Sequence, residues 1–581
     1  MNTYKTDTEA PGKSIDCLFI GHYEMECQRH IDYLKKAGNS EEILRELTFS
    51  VLFHQGKPYY GADILNLFYR EAFNTPKPFF DHWGGMSLAI AYLATYLTRR
   101  GYTFDYVNSF QNERTGLARK LEQENIRLIA IPTTYYVSYL PVLEIIRFVR
   151  NYNRTAKIVV GGPFVHNQVF SLNSPEALKT LFEMIDADIY VDSAQGEATL
   201  VKVLEALKRD LPLENINNLY YRTERGYAAT PVEIENNRLA ENLVDWRLVA
   251  RSKSEYVNVR TAISCPFKCA FCGFRVRAGK YQRLEIDEIE TELELLNQVQ
   301  SVKTVQFIDD TINTPTERFR KFLKMLSKKN FRFKWISWLR CDNIDEEIAR
   351  MMKESGCIGV LMGIESGNNQ ILKNMNKGVT IEKYLKGLEY LRKFDILTYG
   401  SFIFGFPGET EKTAADTIRF IEESGIEFYG PKIWIVEPFS AVMAEKEKYK
   451  ITGSLYRWSH RTMNSEQAIA IKEQAFLDIK NALHMPDIQF HFQNVLHLIN
   501  KGMQPATLKS FLTGFNQGLA QRMTGISYNI TPEVIVALRR DSLAAFKECH
   551  AYPDNPVETV PANPKNLEKA DRDVSDVDFD L

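Results

Sequence analysis

Three of the chain's eight cysteines, Cys265, Cys269 and Cys272, fall within eight positions, in the run Ser264-Cys265-Pro266-Phe267-Lys268-Cys269-Ala270-Phe271-Cys272-Gly273. The spacing is C-x3-C-x2-C. Three thiolates on one short loop can hold three irons of a cubane iron–sulfur cluster. No fourth cysteine lies in the run, and Cys341 and Cys357 are distant, each beside an apolar strand of its own. The fourth iron would then keep an open coordination site, which bond-breaking chemistry needs and plain electron transfer does not. Structural zinc is the competing reading. It usually takes four ligands, and neither a second C-x2-C pair nor a nearby histidine pair is present. The cysteines therefore predict a [4Fe-4S] cluster with one open iron.

The loop follows directly on the apolar run YVNVRTAIS, so it must lie at the carboxyl end of a strand. That run opens a series. VKTVQFID, FKWISWL, CIGVLMGI, TYGSFIFGF and EFYGPKIWIV also read as short buried strands, with helical segments between most of them. Six βα units over 251–440 predict a partial barrel rather than the closed barrel of eight.

A second alternating series precedes it and predicts a doubly wound, Rossmann-like parallel sheet over 76–215. In SLAIAYLATYLTR, Leu88, Tyr92 and Tyr96 recur at helical spacing with Leu93 and Leu97 beside them, and Gly101 serves as the stop. YTFDYVN and IRLIAIP read as strands, the latter running into Thr133-Thr134. AKIVVGGP ends in Gly161-Gly162-Pro163, and ADIYVDS leads to Gln195-Gly196-Glu197 before the helix ATLVKVLEALK. Ligands on such sheets bind beyond the carboxyl ends of the strands, where these glycines and threonines lie.

The remaining segments carry weaker signals. Residues 1–75 read as an N-terminal extension opened by the buried strand Cys17-Leu18-Phe19-Ile20, and 216–250 as a linker that begins with the hairpin pattern NLYYRTERGYAATP. Residues 441–550 read as a mainly helical C-terminal region. Residues 551–581 hold four prolines, eight acids and three bases, the composition of a disordered acidic tail.

With 581 residues, 44% of them apolar and 25% charged, the chain can build several cores and needs no disulfide staples. A net charge of −2 supplies no overall drive toward nucleic acid or an anionic membrane. The start, MNTYKTDTEAPGK, lacks the apolar core of a signal peptide, and no apolar run is long enough to span a bilayer. The expectation is a cytoplasmic enzyme with no nucleic-acid or membrane partner.

C-x3-C-x2-C with an aromatic before the last cysteine resembles the signature of the radical S-adenosylmethionine (SAM) superfamily, and the resemblance extends over about 250–440. It implies a six-strand partial barrel, SAM chelated by its amino and carboxylate groups to the open iron, and one-electron cleavage to a 5′-deoxyadenosyl radical. Phe271 is similar to the aromatic beside the adenine. Phe307-Ile308-Asp309-Asp310 resembles the run near the methionine end of SAM. Arg340, after Trp338-Leu339, is a candidate for the SAM carboxylate. Gly363-Ile364-Glu365-Ser366-Gly367, with Leu372 and Met375-Asn376-Lys377-Gly378 after it, resembles the ribose region. Gly400 to Thr410, with Gly405 at its centre, resembles the motif beside the adenine.

A doubly wound domain ahead of such a barrel resembles the cobalamin-binding subclass. The matching positions are Thr133 and Thr134 at the loop that meets the corrin, the Gly161-Gly162-Pro163 turn, and the Gly196-Glu197 turn. The D-x-H-x-x-G motif, whose histidine ligates cobalt, is absent; Asp81-His82-Trp83-Gly84-Gly85 has the wrong spacing. The resemblance implies a cobalamin-dependent methyltransferase. It would take a methyl group from methylcobalamin to an unactivated carbon or a phosphinate phosphorus of a small-molecule or carrier-bound intermediate, with flavodoxin or ferredoxin as electron donor. The similarity is greatest to the phosphinate P-methyltransferase-like group, on the SCPFKCAFCGF segment and Trp458-Ser459-His460-Arg461-Thr462-Met463. In this reading no side chain is assigned a catalytic role of its own. A ring-forming or rearranging enzyme and a transfer-RNA methylthiotransferase are the alternatives, with a non-catalytic electron carrier behind them.

Overall fold

The computed structural model describes residues 13–36, 41–81, 84–136, 138–172, 174–486 and 490–551. His82 and Trp83, and the acidic tail from 552 onward, lie outside the described residues. The chain divides into two units, each assembled from two separate stretches: residues up to Glu24 with Met86–Ser252, and Met25–Gly85 with the residues from Lys253 onward.

In the first unit the strands are β1 (Ser14–His22), β2 (Phe104–Ser109), β3 (Asn125–Pro132), β4 (Lys157–Gly161), β5 (Ile189–Val191), β6 (Leu219–Thr223) and β7 (Gly226–Ala229), in the spatial order β2-β1-β3-β4-β5-β6-β7. The first five run parallel and the last two add an antiparallel hairpin at one edge. The run Cys17-Leu18-Phe19-Ile20 is wholly buried, as a strand covered on both faces must be. It is an interior strand of the sheet, second from one edge and paired on both sides, and it folds with the first unit. Residues 25–85 leave this unit after that strand and fold with the other one. The helix Leu88–Thr98 opens the return, with Ser87 Oγ accepting from the Ile90 amide as its cap. Order β2-β1-β3 puts the topological switch between β1 and β3, the crevice such sheets offer to ligands.

In the second unit β8 (Tyr256–Val259), β11 (Thr304–Phe307), β12 (Lys334–Leu339), β13 (Cys357–Glu365), β14 (Leu397–Phe404), β15 (Phe428–Ile433) and β19 (Leu483–His484) form one open parallel sheet in that order. The first six are the six expected strands. The seventh is two residues long and lies inside the stretch read as helical; so short a strand leaves no periodicity to find. A two-stranded ribbon, β9 (Ala262–Ile263) with β10 (Gln282–Arg283), and a three-stranded antiparallel sheet, β16 (Thr452–Ser454), β17 (Arg457–His460) and β18 (Met463–Asn464), also belong to this unit.

Alternation along the sheet sorts its side chains. Phe307 and Trp335 pack with Phe322 of the helix Thr316–Lys329 on the outer face. Ile336, Leu361, Tyr399 and Phe428 point the other way and join one apolar cluster with Phe492, Val495 and Leu496. A Cβ on Gly359 would lie 2.6 Å from Leu496 Cδ1, so the helix Phe492–Asn500 fills the concave side to the backbone. The same cluster draws in Leu65 and Phe68 of the helix Gly61–Phe73, and Phe511 and Leu538 of the helices Pro505–Met523 and Pro532–Glu548. Among the described residues no helix is long and apolar enough to cross a membrane.

Candidate functional site

The cysteine loop leaves β9 and returns on β10, whose pairing (Ala262 with Arg283, Ile263 with Gln282) closes its neck. Asp309, beyond the end of β11, fixes that neck from below. Its Oδ1 accepts from the Thr261 amide (2.7 Å) and the Ala262 amide (2.9 Å), and its Oδ2 from the Thr261 hydroxyl. Arg318 adds bonds to the Leu284 carbonyl (Nη2, 2.9 Å) and the Thr261 hydroxyl (3.2 Å). Asp309, expected beside SAM, thus spends both oxygens on the loop's base. Asp310 is the acid that reaches solvent there. Burial and the charge of Asp309 push it up to about 7.

The rest of the loop is stitched to the segment after β13. The Ala270 amide donates to the Met375 carbonyl (2.8 Å), and Asn376 Nδ2 to the Lys268 carbonyl (2.8 Å). Cys265 and Cys269 are half-buried and Cys272 is exposed. Burial pushes the Cys265 and Cys272 thiols up, and Asp310 adds to it.

Arg340, at the end of β12, is nearly buried. Nε and Nη2 grip the two oxygens of Asp342 at 3.0 Å each, and Nη2 also donates to the Lys377 carbonyl (2.8 Å). Its guanidinium lies 4.1 Å from the Phe267 ring centroid. The arginine expected to hold a carboxylate therefore braces the cysteine loop through Phe267 with a fork already filled by Asp342. At the end of β13 a bulge sets Glu365 at φ 69°, a left-handed conformation that non-glycine residues keep only where the surroundings enforce it. Lys377 Nζ binds Glu365 Oε1 at 3.0 Å with both side chains 9% exposed, and Nζ also lies 5.4 Å from the Phe271 ring. A Cβ on Gly363 would fall 2.3 Å from Glu365 Oε1, so the pair exists only because residue 363 is glycine. Ser366 turns inward to Thr417 (3.2 Å) and accepts from the Asn368 amide.

Gly405 follows β14 at φ 87°, and a Cβ there would meet Trp458 at 2.5 Å and Ala468 at 2.7 Å. Its amide donates to Glu409, and its carbonyl accepts from His460 Nε2 (2.9 Å). Trp458 and His460 stack at 5.2 Å on β17, so this motif is a buried strand wedged against the Gly405 turn rather than a helix start. Burial pushes Glu409 up to about 8 and His460 down.

Along the carboxyl edge of the first unit, Thr133 donates its hydroxyl to the Gly161 carbonyl (2.8 Å) and accepts from the Phe164 amide. Gly162, at φ 108°, has room for no Cβ, since Thr133 Oγ1 would lie 3.0 Å away. Pro163 starts the helix Pro163–Ser171. Gly196, at φ 81°, caps the helix Glu197–Arg209, and Glu197 accepts from Asn237 Nδ2 (2.7 Å). Thr134 and Tyr135 are exposed on this edge beside the buried His22, whose ring meets Tyr135 at 4.8 Å.

Residues 260–421 match the model of the Radical SAM superfamily, and residues 85–176 that of the B12 binding domain. The protein is a cobalamin-binding radical SAM enzyme. An uncharacterized methyltransferase of Pyrococcus horikoshii is 26% identical over 59% of this chain and 74% of its own length. The anaerobic magnesium-protoporphyrin IX monomethyl ester cyclase of Rubrivivax gelatinosus is 25% identical over 63% and 68%. The fold matches that of the radical SAM methyltransferase TsrM from Kitasatospora setae, solved with cobalamin and a [4Fe-4S] cluster, at a TM-score of 0.55 and 15% identity over 80% of this chain and 97% of that one.

The radical SAM enzyme's cofactors are a [4Fe-4S] cluster, SAM and cobalamin, and the residues present fit them. No three His, Cys, Asp or Glu side chains among the described residues converge as ligands of a single ion would. A cubane instead asks for one thiolate at each of three corners, which cysteines spread along one loop supply. Ser264 Oγ, beside the first cysteine, is buried without a protein partner, and such an orphaned hydroxyl at the neck of the loop is one that a bound group can satisfy. Asp342, Phe267 and Tyr384 are not among the expected site residues, and Lys377 is expected only as part of the run that resembles the ribose region. Nothing in sequence spacing ties Lys377 to Glu365 or Phe267 to Arg340.

Proposed function

We propose that Cys265, Cys269 and Cys272 hold the cluster, and that the enzyme transfers a methyl group to an unactivated carbon or a phosphinate phosphorus of a small-molecule or carrier-bound intermediate. The observation that carries this reading is the cysteine loop braced by Asp309, Arg340 and Asn376 at the strand ends of a radical SAM fold, in a chain with its own B12-binding domain. When bound, the cluster and SAM supply a carbon radical that removes a hydrogen atom, and the corrin supplies the methyl group. This chain's residues do the positioning. Asp309 and Arg318 fix the neck of the loop, Arg340 and Lys377 hold the two aromatics Phe267 and Phe271, and the Gly363 and Gly405 turns let backbone approach where side chains would intrude. Glu365, Ser366, Asp310 and Gly405 line the SAM side in this reading. Thr133, Thr134, Gly161, Gly162, Pro163, Gly196 and Glu197 form the cobalamin side. A single-electron donor of the flavodoxin or ferredoxin type serves as reductant.

The name of the Rubrivivax relative, a cyclase, favours ring closure as the second reading. One experiment separates them. Cells carrying the intact gene, or a variant with all three cysteines changed to alanine, are fed methionine labelled with deuterium in its methyl group. The expected result is one metabolite that gains a labelled methyl only with the intact gene. A product that has lost two hydrogens and gained no label establishes ring closure. Identical metabolites from both strains refute the assignment of the cysteines.

A further inference from the structure

The first unit contains a histidine–carboxylate pair that the cobalamin-facing residues named above do not include. His166 lies in the first turn of the helix Pro163–Ser171, its amide donating to the Gly162 carbonyl (3.2 Å). Asp192 follows β5 directly. Its backbone is pinned by a bond from its amide to the Asn218 carbonyl (2.9 Å), and its side chain is 6% exposed. His166 Nδ1 lies 2.7 Å from Asp192 Oδ1.

Gly161 pairs with Val191 across the β4–β5 ladder, so the Gly162 turn and Asp192 stand level at the carboxyl edge of the sheet. Thr133 occupies the same edge on β3, bonded to Gly161. His166 and Asp192 therefore sit on the same carboxyl edge as the β1–β3 crevice, one and two strands beyond β3.

The chemistry of the pair is directional. An ionised carboxylate only accepts, so Nδ1 carries the proton and Nε2 presents a lone pair. Nε2 has no hydrogen-bond partner among the described residues, and the imidazole is 28% exposed. A buried carboxylate is costly unless it is partnered, so its service here is to fix one ring and one tautomer. What remains at the rim is a single oriented acceptor. Cobalamin offers matching donors around its whole periphery, in primary amide side chains and in the ribose hydroxyl of its nucleotide tail.

We propose that Asp192 and His166 form a cobalamin-anchoring pair, in which His166 Nε2 accepts a hydrogen bond from an amide or hydroxyl group of the cofactor's periphery. His166 contacts the cofactor; Asp192 is a positioning residue. The inference rests on cobalamin binding by this unit.

The test uses the full-length protein and hydroxocobalamin, with binding read by equilibrium dialysis. One hydrogen bond of ordinary net strength corresponds to a loss of about fivefold to tenfold in affinity. His166→Ala is expected to show that loss. Asp192→Asn should show it too, although it leaves the imidazole in place, because an amide can donate to Nδ1 and turn Nε2 into a donor. His166→Gln, whose carbonyl accepts, should recover most of it. Dissociation constants within twofold of the parent for all three variants, at unchanged melting temperature, overturn the proposal. So does a weakening by His166→Ala that His166→Gln does not relieve and that follows a fall in melting temperature, since the pair is then structural. Paramagnetic resonance of bound cob(II)alamin supplies a readout independent of affinity. Labelling histidine with nitrogen-15 should leave the nitrogen splitting unchanged, and a changed splitting overturns the peripheral assignment in favour of cobalt ligation. If the parent protein does not bind hydroxocobalamin at all, the cobalamin reading itself fails, and that result is distinct from every variant-specific one.

Discussion

Glu409 offers the sharpest quantitative handle on the site. It is fully buried, one carboxyl oxygen accepts from the Gly405 amide, and the other has no partner. Burial raises its carboxyl from 4.5 to about 8, with the Gly405 amide pulling the opposite way. In the unfolded chain the group loses its proton near the ordinary value, whereas the folded protein keeps it to about 8. Between those values the folded state binds the extra proton, so stability falls as pH rises through the window and levels off above it. Integrated from pH 5 to pH 8.5, the loss is about 4 kcal/mol. Glu409→Gln cannot ionise, and its carbonyl can still accept from Gly405. The stability of the variant relative to the parent should therefore grow by about 4 kcal/mol over that range, measured by urea denaturation at several pH values. Tryptophan fluorescence is a suitable signal because Trp458 packs on the same turn. A difference that stays constant to within about 1 kcal/mol refutes the argument, for the carboxyl would then not be held protonated by its surroundings.

Two further outcomes follow from the same region. Lys377→Met should leave Glu365 buried without its cation and cost about 3–5 kcal/mol in urea denaturation, with much of the loss recovered in the Lys377→Met/Glu365→Leu double variant. Gly405→Ala combines a left-handed backbone with a Cβ driven into Trp458 and Ala468, and should cost about 2–5 kcal/mol and lower SAM affinity in a binding titration.

Much of the architecture was readable because it rests on long, strongly patterned strands. The six strands from Tyr256–Val259 to Phe428–Ile433 match the apolar runs identified, with Cys357–Glu365 and Leu397–Phe404 each extending one residue beyond its run, and the cysteine triplet follows the first of those runs. What escaped was set by partners distant in sequence. Ser14–His22 has the look of a buried strand, but its place inside a sheet depends on Phe104–Ser109 and Asn125–Pro132, more than eighty residues on. Leu483–His484 is too short to pattern. Within the site, residue type alone could not separate Asp309 from Asp310; the Thr261 and Ala262 amides decide that one acid is a brace and the other reaches solvent. Arg340 carries the charge expected of a carboxylate clamp, yet Asp342, two positions away, takes its fork. Trp458 and His460 are drawn into a strand by their fit against a glycine fifty residues upstream.

The detour of residues 25–85 bears on how the polypeptide matures. Its helix Gly61–Phe73 packs against Pro532–Glu548 and shares one apolar cluster with Pro505–Met523, segments translated more than four hundred residues later. The strand Ser14–His22 waits for chain near residue 130 before its sheet can close around it. Neither half can be obtained by cutting the gene at one place. Removing residues 14–24 takes an interior strand out of one sheet, and ending the chain before residue 505 leaves the helix Gly61–Phe73 with its apolar face uncovered.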